Sequence, residues 1–273
     1  MIENPIPTPD SNLVQTLLRK GKITPEEAAR LPAVSTSTKA SPLTWTPSDE
    51  TRLERLSIAS TVGDLEIEGV SGLSGVEVRG LDESGVRFVQ EGTTLTLHLT
   101  GRLDNPTRAE WLDALFDTLG RVVPLDVHLR VPADLTELNV RHGAGEIEVS
   151  GVTGRVELEV QTGDLKLQGA DGFALWTRAG DVQVEGIVRE GRSSVTTATG
   201  GVKVTLTEGS DTTVNAAVTV GELHTLGFAL DTSEEKLGAR RVRGRVASGR
   251  GHLDVAVSVG KLELVALGTG LSG

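Results

Sequence analysis

The 273-residue chain has no cysteine and no tyrosine, a single methionine and only 3% aromatic residues. The missing cysteines exclude disulfides, thiolate zinc sites and cysteine nucleophiles together, and fit a reducing compartment. With so few rings, any interior must be built from Val, Leu, Ile and Ala, which suits a thin core better than a wide one. No run is long and apolar enough to cross a bilayer. The first residues, MIENPIPTPDSN, lack the basic start and apolar centre of a secretory signal, so the expected location is cytoplasmic, with non-classical surface association left open. Positive charge is scarce too: 27 Lys and Arg against 38 Asp and Glu give a net charge of −11, which argues against sequence-independent nucleic-acid binding. Proline is missing after Pro132, and a strand inside a ladder cannot spare its backbone N–H, so the second half of the chain is free to form ladders.

What is present divides the chain into four parts. Residues 1–31 hold a tail and a helical hairpin, SNLVQTLLRKGKITPEEAARL. Leu13, Leu17 and Leu18 share one face of its first helix, Gly21 ends that helix, and Thr24-Pro25-Glu26-Glu27 caps the second. A hairpin this small cannot bury enough surface to stand alone, so it is expected to dock on the main domain, on a second copy or on a protein partner. Residues 32–48, rich in Pro, Ser and Thr, read as a linker. Residues 49–267 change to short alternating segments separated by Gly, the period of β-strands. One helix interrupts them at 105–120, with Trp111, Leu112, Leu115, Phe116 and Leu119 on one face. It is expected to pack on the core or cap the strands, with Trp111 and Phe116 as alternative partner contacts. Residues 268–273 read as a flexible tail; their GTGLSG matches a dinucleotide fingerprint in form only, with no following helix to receive a phosphate.

The alternating region repeats itself. TVGDLEIEGVSG at 61–72 returns as GAGEIEVSGVTG, QTGDLKLQGADG and RAGDVQVEGIVR. The corner glycines Gly145, Gly163, Gly180, Gly200 and Gly221 are 18, 17, 20 and 21 residues apart. A period near twenty, with two strands in each step, marks stacked coils that share one interior. An antiparallel meander would satisfy the local pattern as well, but regular recurrence favours a solenoid. The expected fold is therefore all-β, a β-solenoid of two-strand coils of about 17–21 residues. The acids after the corners, Asp64, Glu146, Asp164, Asp181 and Glu222, would form a column of like charges, read as solvated, with a weak cation site as the alternative.

The run LDVHLRVPADLTELNVRHGAGEIEVSGVTGRVELEVQTGDLKLQGADG resembles the bacterial "putative adhesin" β-strand-repeat family, in which a VP segment precedes repeated GD units. The hairpin LLRKGKITPEEAARL is similar to the SHOCT-like segment of LiaX-type envelope-stress proteins. The resemblance implies a β-solenoid without established enzymatic activity, linked to envelope stress or surface attachment, and it carries over no catalytic residues.

Little else points to chemistry. His98, His128, His142, His224 and His252 are scattered and read as surface residues. No metal-ligand spacing, nucleophile elbow or defined carboxylate pair occurs, so no cofactor, metal or enzymatic role is expected. Arg240, Arg241, Arg243 and Arg245, within the acid-free segment 236–250, read as a solvated strand face, with a polyanion site as the alternative. The expected function is a non-enzymatic scaffold or binding module that self-associates. A surface adhesin for peptide, glycan or lipid is the main alternative.

Overall fold

A computed structural model of the protein describes residues 42–47, 52–81, 83–100, 126–236 and 238–267. The expected hairpin at 11–31, with Leu13, Leu17 and Leu18, lies outside the described residues. So do the expected helix at 105–120, with Trp111 and Phe116, and the tail at 268–273.

The described residues form nineteen strands: β1 (Leu43–Trp45), β2 (Arg55–Val62), β3 (Leu65–Val70), β4 (Val76–Arg79), β5 (Val86–Glu91), β6 (Thr94–Leu99), β7 (Val127–Pro132), β8 (Glu137–Ala144), β9 (Ile147–Ser150), β10 (Arg155–Thr162), β11 (Leu165–Asp171), β12 (Phe173–Ala179), β13 (Val182–Ile187), β14 (Arg192–Thr199), β15 (Val202–Leu206), β16 (Thr212–Leu226), β17 (Ala229–Lys236), β18 (Ala239–Val246) and β19 (Gly251–Ala266). They arrange in two ladders. The first runs β5-β6-β2-β8-β10-β12-β14-β19-β16-β18-β17. The second runs β1-β4-β7-β3-β9-β11-β13-β15-β19-β16. Pairing is parallel from β6 to β16 in the first ladder and from β7 to β16 in the second. Antiparallel strands occur only at the two ends of the stack. Parallel pairing of segments one coil apart is the solenoid, not the meander.

Alternation decides which residues enter the interior. In β10, Val156, Leu158 and Val160 are buried while Glu157 and Glu159 face out. In register, Leu158 lies between Val140 of β8 and Leu175 of β12, so like sits on like down the stack. The Val, Leu and Ile positions of both ladders merge into one cluster. Among the described residues, Phe173 is the one fully buried aromatic ring.

Two expectations need correction. Leu43–Trp45, inside the stretch read as linker, is a strand: Leu43 and Trp45, two apart, pack against the core while Thr44 is exposed. The coils also do not all stack in chain order. The last coil, β19, lies between β14 and β15 on one side and β16 on the other, so the coil made by β16 is outermost. A further copy of the repeat, Val257-Ser258-Val259-Gly260-Lys261-Leu262, thus belongs between the Gly200 and Gly221 corners.

Candidate functional site

The corners follow from backbone geometry. Gly180 has φ +140°, and a Cβ placed on it would lie 2.0 Å from the carbonyl oxygen of Gly163 in the coil before. The same approach links Gly145 to Gly63, Gly163 to Gly145, Gly200 to Gly180, Gly260 to Gly200 and Gly221 to Gly260. The acids beside these glycines are not simply solvated. Asp64 accepts from the Glu146 N–H at 3.0 Å, Asp164 from the Asp181 N–H at 2.9 Å, and Asp181 from the Gly201 N–H at 2.7 Å. Each aspartate thus ties its corner to the next coil with a charge-assisted bond. Glu146, one methylene longer, makes no such bond, and Glu222 lies in the outermost coil, where no described corner follows it. Asp64, Glu66, Asp126, Glu146 and Glu148 share a shallow groove of about 350 Å³. Among the described residues no three acids or histidines are arranged to hold a metal ion.

A different aspartate fixes the inserted coil. Asp211 is buried just before β16, and its carboxylate accepts from Ser248 Oγ at 2.7 Å, Gly249 N at 2.5 Å and Arg250 Nε at 2.6 Å. Its backbone N–H donates to Val188 and its carbonyl accepts from Gly251. One residue therefore holds the turn that sends the chain from β18 into β19. The Ser248 hydroxyl, followed by Arg250, holds its carboxyl well below the usual carboxylate range. The sequence offered only a short turn-like Ser-Gly-Arg as a signal.

The histidines divide. His98, His224 and His252 are exposed, but His142 is 3% exposed, because it shares the parity of Val140 and points inward. Neither ring nitrogen has a hydrogen-bond partner in good geometry. Burial lowers its pKa, partly offset by the carbonyls of Ala144 and Gly63 and by Asp64.

The arginine segment forms β18, and alternation splits it. Arg241, Arg243 and Arg245 are exposed on the outer face, opposite Ala217, Asn215 and Thr213 of β16, whereas Arg240 is half-buried and points the other way. Acids stand against them from β17: Asp231 binds Arg245 at 3.2 Å, Glu235 binds Arg240 at 3.7 Å, and Glu234 is paired in register with Arg241. The four arginines do not form one basic surface.

Two features were not singled out from sequence. First, the outermost coil is open on one side. Residues 222–226 of β16 pair with β19 on one edge and with no described strand on the other, while β18 and β17 extend the first ladder past them. The exposed large aliphatics gather here: Val220, Leu226, Leu230, Val259 and Leu267 are 48–69% exposed. Second, Trp176 is exposed on the outer face of the first ladder, at the edge of a groove of about 700 Å³. Its place was legible, since Phe173, Leu175 and Thr177 alternate inward and leave Trp176 outside.

Comparison with known proteins decides the family. The sequence pattern of the Toastrack family, DUF4097, matches residues 20–264. The chain is a Toastrack DUF4097 protein. No curated protein matches this Toastrack chain. Among solved structures it is similar to a candidate cell adhesion protein from Clostridium sporogenes, with 12% identity over 83% of this chain and 99% of that one and a TM-score of 0.44. It is also similar to a candidate adhesin from Bacteroides fragilis, with 13% identity over 84% and 98% and a TM-score of 0.33. A candidate lipid-binding protein from Parabacteroides distasonis is similar at 11% identity over 83% and 97%, with a TM-score of 0.30. None of these three is named as an enzyme. Among the described residues of the Toastrack chain, no helix is long and apolar enough to cross a membrane.

Proposed function

We propose that this Toastrack protein is a non-enzymatic scaffold that self-associates through the open end of its stack. The observation that carries this reading is a coincidence of two features at one place. A strand edge at residues 222–226, unpaired among the described residues, offers a row of N–H and C=O groups for another strand. Five of the six large apolar side chains exposed among the described residues lie in or beside the same coil.

The two ladders differ at this end. The outermost strand of the first ladder, β17, carries Asp231, Glu234 and Glu235, and charge on an edge opposes strand addition. The second ladder ends on Leu223, His224 and Thr225, without that protection along its middle. A strand from a second copy laid beside them would cover Leu223 and face Leu230 and Val242. Attachment or stress sensing at the cell envelope, the context suggested by the adhesin-like repeats, belongs to the same proposal, as does a contribution from Leu13, Leu17 and Leu18.

Light scattering of the full chain at increasing concentration tests it. Wild type is expected to exceed the monomer mass, and Leu226→Lys with Leu230→Lys to return it to monomer with an unchanged circular dichroism spectrum. Leu17→Lys with Leu18→Lys separates a contribution from the N-terminal hairpin. A wild-type chain that stays monomeric throughout refutes the proposal.

A further inference from the structure

We infer that the groove beside Trp176 is a binding subsite for a neutral saccharide. It lies on the outer face of the first ladder, away from the open end, and does not depend on self-association.

The floor follows from register. Ser57, Asn139, Glu157, Ala174 and Ser194 form one row across five adjacent strands, and Arg141, Glu159, Trp176 and Thr196 form the next. Ala174 and Ser194 are short, so the surface dips between the longer side chains of Arg141, Glu157, Glu159 and Trp176. The charges cancel locally: Arg155 binds Glu157 at 2.9 Å and Arg141 pairs with Glu159 at 3.4 Å. The groove therefore presents no net charge to a ligand. Several polar groups remain unspent. The hydroxyls of Ser57, Ser194 and Thr196 and the indole N–H of Trp176 make no side-chain hydrogen bond among the described residues, and Asn139 uses one amide proton, on Glu137 at 2.9 Å.

Each class of ligand meets this lining differently. A polyanion would face Glu157 and Glu159 without compensating excess of positive charge. An acyl chain would strip water from Asn139, Arg141 and three hydroxyls and return no hydrogen bonds. Strand addition by a peptide needs free backbone groups, and here every strand has neighbours on both sides. A sugar ring offers what remains: an apolar C–H face to lie on the indole, and a rim of hydroxyls that both donate and accept. Ser, Thr and Asn also do both, Arg only donates and Glu only accepts, so the lining answers every hydroxyl orientation.

The experiment is a calorimetric and tryptophan-emission titration of the full chain with cellohexaose, chitohexaose, xylohexaose, mannohexaose and maltohexaose. Heparin, a lysine-free random peptide and phosphatidylcholine vesicles serve as contrasting probes. At least one neutral hexasaccharide is expected to bind at millimolar concentration or below and to change the emission. Trp176→Ala should weaken that binding at least tenfold and abolish the change, with an unchanged circular dichroism spectrum and the emission of Trp45, packed against the core, reporting an intact fold. Asn139→Ala should weaken it too, Trp176→Phe should retain part of it, and Leu226→Lys with Leu230→Lys should leave it unaltered. Failure of all five sugars to bind overturns the inference, as does binding indifferent to Trp176→Ala or binding confined to heparin, peptide or vesicles.

Discussion

Replacing Gly180 by Ala should cost far more than the same change at Gly191, although both glycines have positive φ. At Gly191, φ is +71° and a Cβ would meet nothing within 4 Å. The penalty there is the left-handed conformation alone, about 1–2 kcal/mol, reduced by about 0.4–1 kcal/mol through the stiffer unfolded chain. At Gly180, φ is +140°, a region nearly reserved for glycine, which costs about 1–3 kcal/mol. The new Cβ would also sit 2.0 Å from the Gly163 carbonyl oxygen. The corner must open by more than an ångström to restore ordinary contact. The bonds holding it closed there, Gly163 N–H to Ala179 and Leu165 N–H to Asp181, are 2.9 and 2.8 Å long. Losing them adds about 1 kcal/mol each. Less the same unfolded-chain gain, the sum is about 2–4.5 kcal/mol against about 1 kcal/mol or less for Gly191→Ala. For a domain of this size each kcal/mol shifts the midpoint by about 2–4 °C, so Gly180→Ala should melt about 10 °C lower and Gly191→Ala only a few degrees lower. Thermal unfolding by circular dichroism gives the comparison. Because coils can open individually, amide exchange at residues 163–181 gives the local reading. Equal midpoints for the two variants would show that the coils are not in the close contact described.

Two further outcomes follow from buried and corner polar groups. His142 has a folded pKa lowered by burial, below its unfolded value of 6.5. The unfolded chain therefore takes up a proton first, and stability present above pH 6.5 declines as the pH falls through that value toward the folded pKa. Urea titrations between pH 7.5 and pH 5 should show this slope in wild type and a shallower one in His142→Leu, which also removes two unpartnered ring nitrogens. A slope unchanged by the substitution counts against His142 as its source. At the corners, Asp181→Ala should lower stability by about 1 kcal/mol through the lost bond to Gly201 N–H, while Asp181→Asn keeps an acceptor and most of the stability. If Asn is as damaging as Ala in denaturant unfolding, the bond to Gly201 is not what matters there.

Much of this fold is written in the residues. The alternation of Val156, Leu158 and Val160 with Glu157 and Glu159 sets the two faces, and glycines about twenty residues apart set the corners. The order of the coils is not legible in the same way, for a physical reason. Every coil presents the same alternating aliphatic pattern to its neighbours, so β19 satisfies β15 as well as β16 would. The choice rests on the β17–β18 connection and on the grip of Asp211 on Ser248, Gly249 and Arg250, a contact between residues 37 to 39 apart that no local pattern announces. Parity did contain the inward turn of His142 and the outward turn of Trp176. It also contained the split of Arg240 from Arg241, Arg243 and Arg245, which counting arginines along the chain conceals. Reach separated the bonded corner aspartates from Glu146, whereas Glu222 sits in the outermost coil beside His224.

The absence of cysteine makes the coil order directly measurable. Lys203 of β15 pairs in register with Glu263 of β19, and Glu263 in turn with His224 of β16; all three side chains face outward on the second ladder. Adjacent strands are about 4.8 Å apart and next-but-one strands about twice that, while a disulfide needs Cα atoms within about 7 Å. Under mild oxidation Lys203→Cys with Glu263→Cys should form an intramolecular disulfide, and Lys203→Cys with His224→Cys should remain reduced. The reverse outcome would mean that the coils stack in chain order, and that the end left open by β16 is not an end at all.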